Sequence, residues 1–198
     1  MELRFIKKTE WPQLLAFNRE EYGEKHILTN KVYYDWQFDN IFNPNKESYT
    51  SLGVFNQKGD ILGTFGLFTA PYHFFGKTPE GTCLCNLMVR REWRSLGYGY
   101  LLLEQASRLN DLTIDHTIND AAWPMFEKTG FRGEDLKRFV YIINPKNNLY
   151  DLPVSSGAGM KLGSGSLVFS KVQKFGPEID ELWSRVSHRY PVTIRRTS

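Results

Sequence analysis

The chain has 198 residues, the length of one domain with some to spare and enough to bury a continuous core. Hydrophobic residues make up 41% and charged residues 24%, which excludes an intrinsically disordered chain. Lys and Arg number 25 against 22 Asp and Glu, and the net charge of +3 lacks the clustered basic excess of a dedicated nucleic-acid binder.

In chain order, Leu3, Phe5 and Lys7 alternate with Arg4, Ile6 and Lys8 and predict a short first strand. A helix opens at Thr9 or Glu10, with Pro12 in its first turn, where a missing N–H costs little. Leu14, Leu15, Phe17 and Asn18 follow at helical spacing, and Gly23 stops it. A second, aromatic helix is expected over Lys31 to Phe42, with Val32, Trp36 and Ile41 facing the core and Pro44 and Asn45 ending it. Tyr49 to Phe55 and Ile61 to Phe68 read as a hairpin around residues 56–60. Ala70-Pro71 is expected to break the second of these strands, and Tyr72 to Phe75 to extend the sheet. Thr82 to Val89 is a strand, Arg90 to Gly99 a basic glycine-containing loop, Tyr100 to Asn110 a helix and Leu112 to Ile118 a strand. Ala121 to Lys128 is a short helix ended by Gly130, and Phe131–Gly133 and Phe139–Ile143 read as closing strands. This order predicts an α/β chain whose sheet starts antiparallel and acquires a parallel crossover after Val89.

Composition shifts after Pro145. Residues 1–145 form the first domain, and 146–166, rich in Gly, Ser, Asn and Pro, read as a linker. Residues 167–198 form a βα(β) segment: a strand at Leu167–Lys171, a helix at Pro177–Arg189 and a strand at Val192–Arg195. Its pattern repeats that of Arg4 to Leu15, which suits the start of a second copy of the first elements. Its apolar residues, Leu182 and Trp183 among them, call for cover by the first lobe or by a second copy of the chain, so a homodimer is one expected assembly.

Cys83 and Cys85 are the two cysteines, too few for a disulfide scaffold; on a strand they share one face and are expected as small buried residues. The four histidines are scattered, and no metal site is expected. The N-terminus lacks an apolar signal core, and no run nears the roughly 20 apolar residues of a membrane span, so the chain reads as soluble and cytoplasmic.

The chemistry lies in the stretch from Asn86 to Ala106, where a strand enters a basic glycine loop that opens a helix. Gly97 and Gly99 lack a Cβ, so the backbone can turn sharply and approach a ligand closely. The N–H groups of Ser95, Leu96, Gly97, Tyr98 and Gly99 would point outward at the helix start, a site for a pyrophosphate, with the charge of Arg94 beside them. Arg90 and Arg91 lie just upstream and add charge near a phosphate. A Rossmann loop is excluded, because Leu102 stands where its third glycine belongs, and a P-loop is excluded by the absence of Gly-Lys-Ser/Thr.

Arg94-x-x-Gly97-x-Gly99, followed by Asn119-x-x-Ala122-x-x-Met125-Phe126-Glu127-Lys128-Thr129-Gly130-Phe131, resembles the GNAT superfamily of N-acetyltransferases over about residues 2–143. The resemblance implies a mixed, largely antiparallel central sheet with a splayed parallel strand pair, flanked by helices. It implies acetyl-CoA as the cofactor, with its pantetheine arm on the edge of the strand at Leu87, Met88 and Val89. It also implies the pyrophosphate at Arg94 to Gly99, and Asn119 and Phe126 in the second half of the cofactor site. The expected reaction is N-acetyl transfer to a small-molecule amine by direct attack, with no nucleic acid or membrane as partner. Two departures stand out. Phe126 occupies the position where the family often has a Tyr that protonates the leaving thiolate, and the strand before the loop offers Cys83, Cys85 and Asn86 where a carboxylate is common. The catalytic groups are therefore open, with Tyr98, His73, Asp115 and His116 as candidates, and the alternative is a non-catalytic acyl-CoA-binding or scaffold lobe.

Overall fold

The computed structural model describes residues 1–39, 43–116, 118–133 and 176–189, and the backbone of 192–194. Strand β1 (Glu2–Lys7) is followed by helices α1 (Trp11–Tyr22) and α2 (Lys31–Phe38), then strands β2 (Ser48–Phe55), β3 (Ile61–Phe74) and β4 (Glu80–Val89). Helix α3 (Tyr98–Ser107), strand β5 (Leu112–Asp115) and helix α4 (Trp123–Lys128) complete the order up to Phe131. Helix α5 (Glu178–Val186) and strand β6 (Val192–Ile194) come from the C-terminal segment. Met1–Phe131 and Gly176–Ser198 make one compact unit. The second unit, Arg132–Phe175, falls outside the described residues save Arg132 and Gly133, and so do the strands expected at Phe139–Ile143 and Leu167–Lys171 and the linker 146–166.

The sheet runs β1-β2-β3-β4-β5, antiparallel throughout except for the parallel β4–β5 pair, as the element order predicts. Alternation along the strands divides two apolar layers. On one face α1 and α2 bury Leu14, Phe17, Tyr34 and Phe38 against Ile6, Tyr49 and Ile61. On the other α3 and α4 bury Leu102, Leu103, Ala106 and Phe126 against Leu52, Phe65, Leu67 and Leu84. Burying a side chain of this size stabilises by about 1.5–3 kcal/mol, which makes these two layers the main source of stability. Helix α2 lies so close to β3 that a Cβ on Gly66 would sit 2.5 Å from the Phe38 ring.

Three expectations change. Val32 and Trp36 are 79% and 71% exposed, because Tyr34 and Phe38, the other i,i+4 pair on α2, take the buried face. Ile41 lies outside the described residues. Ala70-Pro71 does not break β3, which runs on to Phe74. The Tyr72 N–H bonds Pro79 across the β4 edge, so the nitrogen of Pro71 turns to the other edge, in the gap between the last β2 pairing at Gly66 and the first β6 pairing at Tyr72. Phe131–Gly133 is not a strand; the Phe131 ring packs edge-on against Phe126 at 5.1 Å. The tail segment joins the sheet: β6 pairs with Tyr72–Phe74 of β3, and Trp183 packs edge-on against His73 at 5.8 Å.

Candidate functional site

β3 and β4 keep antiparallel register from Pro71↔Glu80 to Gly66↔Cys85 and resume at Thr64↔Met88. Phe65 therefore faces both Asn86 and Leu87, and β4 carries one extra residue, a β-bulge. Asn86 absorbs it at φ 56°, in the left-handed region that Asn tolerates better than most side chains. On its other edge β4 pairs with β5 only from Gly81↔Leu112 to Leu84↔Asp115. Cys85 to Val89 run on without pairing to β5; the Asn86 and Val89 carbonyls are taken by Tyr22 and Arg94, and the rest of this stretch is a template for an extended ligand.

β4 ends where the Arg90 N–H bonds the Leu62 carbonyl at 2.8 Å. A 3₁₀ turn spans Arg91–Leu96 and carries Ser95 and Leu96 to the start of α3. Gly97 then adopts φ 81°, ψ 6° as the N-cap of α3, with nothing within 4 Å of where its Cβ would be. α3 starts at Tyr98, two residues before the expected Tyr100, because the left-handed glycine makes the turn by itself. The N–H groups of the first helical turn have no intrahelical acceptor and carry the positive end of the helix dipole. Tyr98 leans on Trp93 at 5.9 Å and props this turn.

The arginines reach further than the sequence suggests. Arg94 Nε donates to the Val89 carbonyl at 2.9 Å, and Nη2 lies 3.2 Å from Glu21 and 3.5 Å from the Met88 sulfur. Arg90, expected beside the phosphates, instead donates to the Ile61 carbonyl at 2.7 Å and pairs with Glu20. Both tie the loop to α1.

The opposite wall comes from α1 and α2. The Tyr22 hydroxyl donates to the Asn86 carbonyl at 3.1 Å, and its ring stacks on His26 at 4.7 Å. Gln37 Nε2 donates to Cys85 Sγ at 3.6 Å. Burial, with nearby Cys85 and Glu21 adding to it, pushes the Tyr22 hydroxyl well above its ordinary range. Burial pushes the Cys83 thiol up to about 11, with the charge of Asp115 adding to it, and the Cys85 thiol up to about 12. Both thiols are therefore protonated at neutral pH. Cys83 Sγ lies 3.4 Å from Nδ1 of His116.

An anion-binding helix start beside an unpaired strand edge fits an elongated ligand with phosphates at one end and amides along its arm. The family model described as Acetyltransferase (GNAT) family matches residues 10–131, more than half of the chain. The chain belongs to the GNAT acetyltransferase family. Solved structures share its fold. An acetyltransferase from Trypanosoma brucei is 16% identical with a TM-score of 0.53, over 71% of this chain and 99% of that one. An aminoglycoside acetyltransferase from an uncultured soil metagenomic sample is 17% identical with a TM-score of 0.51, over 72% and 99%. Glucosamine-6-phosphate N-acetyltransferase from Arabidopsis thaliana is 14% identical with a TM-score of 0.52, over 71% and 97%. Among curated proteins, no match to this chain is found.

Within this GNAT chain the second motif places Asn119 at an exposed turn, where Oδ1 caps the Ala122 N–H at 2.9 Å. Phe126 is 2% exposed and packed in the apolar layer under α3. Asp115 and His116 stand where β4 and β5 part. His73 is not brought to the site: it lies eight residues along β3 from Phe65, roughly 26 Å at the rise of a strand. A separate cavity of about 270 Å³, lined by Phe5, Thr50, Leu67, Glu80 and Asn110, lies at the start of β4, where the β4–β5 pair is intact. Among the described residues no group of His, Cys, Asp or Glu is placed to hold a metal, and no helix is long and apolar enough to cross a membrane. Tyr22, Gln37 and Glu21 are residues of the site that the sequence does not single out. Spacing cannot reveal these three, because each meets β4 or the loop only through the tertiary fold.

Proposed function

We propose that this GNAT protein moves an acetyl group from acetyl-CoA to a primary amine of a small molecule by direct attack. The observation that carries this reading is the bulge at Asn86 together with the stretch from Cys85 to Val89 that is not paired to β5, beside the start of α3. Acetyl-CoA, when bound, supplies an acyl group activated as a thioester. The chain's part is to hold and orient. The backbone of Leu87, Met88 and Val89 lines the arm, the N–H groups from Ser95 to Gly99 take the pyrophosphate, and Arg94, tied to the Val89 carbonyl and Glu21, adds its charge to the same loop. Asn119 orders the turn before α4, which reaches the arm from the far side. A backbone N–H of the bulge is the type of fixed donor that stabilises charge developing on a carbonyl oxygen. The amine enters from the side of α1 and α2, past Tyr22, His26, Gln37 and Cys85. We assign no nucleic acid or membrane as partner, and a homodimer as the assembly that covers Leu182, exposed on α5. One observation favours a second reading, a non-catalytic acyl-CoA-binding or scaffold lobe: the apolar Phe126 is buried where a proton donor would be useful.

A melting curve with and without acetyl-CoA tests the reading. A ligand at 100 times its Kd stabilises the native state by about 2.7 kcal/mol, so Tm rises clearly. Arg94→Ala weakens the shift. An unchanged Tm at millimolar acetyl-CoA removes the basis for the proposal. A shift without thiol release toward any of a panel of amines selects the second reading.

A further inference from the structure

We infer that Cys83 and His116 form the proton-accepting pair of this transfer, with Nε2 of His116 as the base and Cys83 as the positioning residue that holds the ring. The inference rests on the acetyl transfer proposed above and assigns the base that the sequence left open.

Position comes first. Leu84↔Asp115 is the last paired step between β4 and β5, so Cys85 and His116 are the first residues past the fork. An arm whose phosphates sit at the start of α3 and whose amides follow the edge back from Val89 reaches Cys85 after about 13 Å. Its reactive end therefore arrives at the fork, beside His116.

Orientation comes second. Cys83 and Cys85 alternate onto one face of β4, and Cys85 packs against the layer under α1 and α2, the side from which the amine enters. The 3.4 Å contact with Cys83 Sγ draws the His116 ring toward that face, and His116 is exposed there.

The tautomer comes third. Cys83 Sγ lies within reach of two acceptors, the Leu84 carbonyl at 3.8 Å and Nδ1 of His116 at 3.4 Å, and the pairing assigns its S–H to the carbonyl. The sulfur is thus left to accept, and Nδ1 carries the hydrogen it accepts. That leaves the lone pair on Nε2, the outward nitrogen, to accept a proton. Two groups on the acceptor wall do not compete. The Tyr22 hydroxyl is engaged by Asn86, and Gln37 cannot ionise. The titratable groups facing the pair are Tyr72 on β3, Cys85 on β4 and Asp115 on β5. Burial pushes the Tyr72 phenol up to about 12, and Asp115 is the group whose charge raises both thiols.

In the step, the amine nitrogen forms the new C–N bond to the acyl carbon as the C–S bond breaks. The proton lost by the nitrogen goes to Nε2 of His116, which releases it to solvent, and the departing thiolate takes a proton from solvent, so amine and thioester become amide and thiol.

Two measurements test the pair. Long-range ¹H–¹⁵N NMR of the free protein reads the His116 tautomer directly: Nδ1–H is expected in wild type and in Cys83→Ser, and a mixture in Cys83→Ala. A predominant Nε2–H form in wild type overturns the pairing. With an accepted amine, His116→Gln is expected to lower kcat/KM by about 100-fold or more, within the usual range for general base catalysis, and to abolish the acid limb of its pH profile. Cys83→Ala lowers it by a smaller factor that Cys83→Ser restores. Acetyl-CoA affinity stays unchanged in all three. A His116→Gln enzyme within about threefold of wild type, with the acid limb intact, overturns the base role while leaving acetyl transfer in place. Wild type that transfers to no amine overturns both, and the tautomer then reports on the contact alone.

Discussion

Asn86→Val is expected to weaken acetyl-CoA binding by about tenfold or more, and Asn86→Gly to leave it intact. Asn86 holds φ 56° so that two residues of β4 can oppose Phe65. A β-branched residue resists that conformation by roughly 1–2 kcal/mol, and every 1.4 kcal/mol is a tenfold change in affinity. The strain is relieved by shifting the extra residue elsewhere, which re-aims the edge from Cys85 to Val89 and breaks the bond from Tyr22 to the Asn86 carbonyl. Glycine reaches the same φ without strain and keeps the bulge. Titration calorimetry of the two variants checks this. Equal affinity in Asn86→Val would mean that the bulge does not shape the donor site.

Phe126→Tyr is expected to lower stability by about 1–3 kcal/mol and to bring no gain in turnover. The ring is 2% exposed between Leu102, Leu103 and Phe131, so the added hydroxyl enters an apolar layer with no acceptor built for it. Where a general acid limits the rate, restoring it is worth about 10²–10⁴-fold. Coenzyme A thiolate leaves readily near neutral pH, so proton removal from the amine limits the rate instead, and activity should rise with pH. Urea unfolding and the pH profile of both proteins decide the matter. A gain above about a hundredfold would show that the missing acid was the bottleneck.

Much of this fold is legible because each strand carries its own signal. Alternation at Leu3 to Lys7, turn residues at 56–60 and the glycines after Val89 predict the order that the sheet adopts. The failures have local causes. α2 has aromatic or apolar residues at 32, 34, 36 and 38, two opposite stripes of equal spacing, and only packing against β2 and β3 selects Tyr34 and Phe38. Pro71 reads as a break, yet its missing N–H falls between two partner strands.

The site divides in the same way. The glycine loop is contiguous, so Gly97 and Gly99 declare it. The acceptor wall is not: Tyr22 meets Asn86 across 64 residues, Arg94 meets Glu21 across 73, and Cys83 meets His116 across 33. Asn86 offered one overlooked signal, since an Asn within a strong strand is a natural place for a left-handed residue and hence for a bulge.

Amide hydrogen exchange with and without acetyl-CoA tests the central claim most directly, because it reads the backbone that the ligand is proposed to pair with. Protection is expected to rise at Leu87 to Val89 and at Gly97 to Tyr100, and not at Tyr72 to Phe74, where β6 already pairs with β3. Saturating acetyl-CoA that left Leu87 to Val89 and the start of α3 exchanging at their original rates would contradict the account.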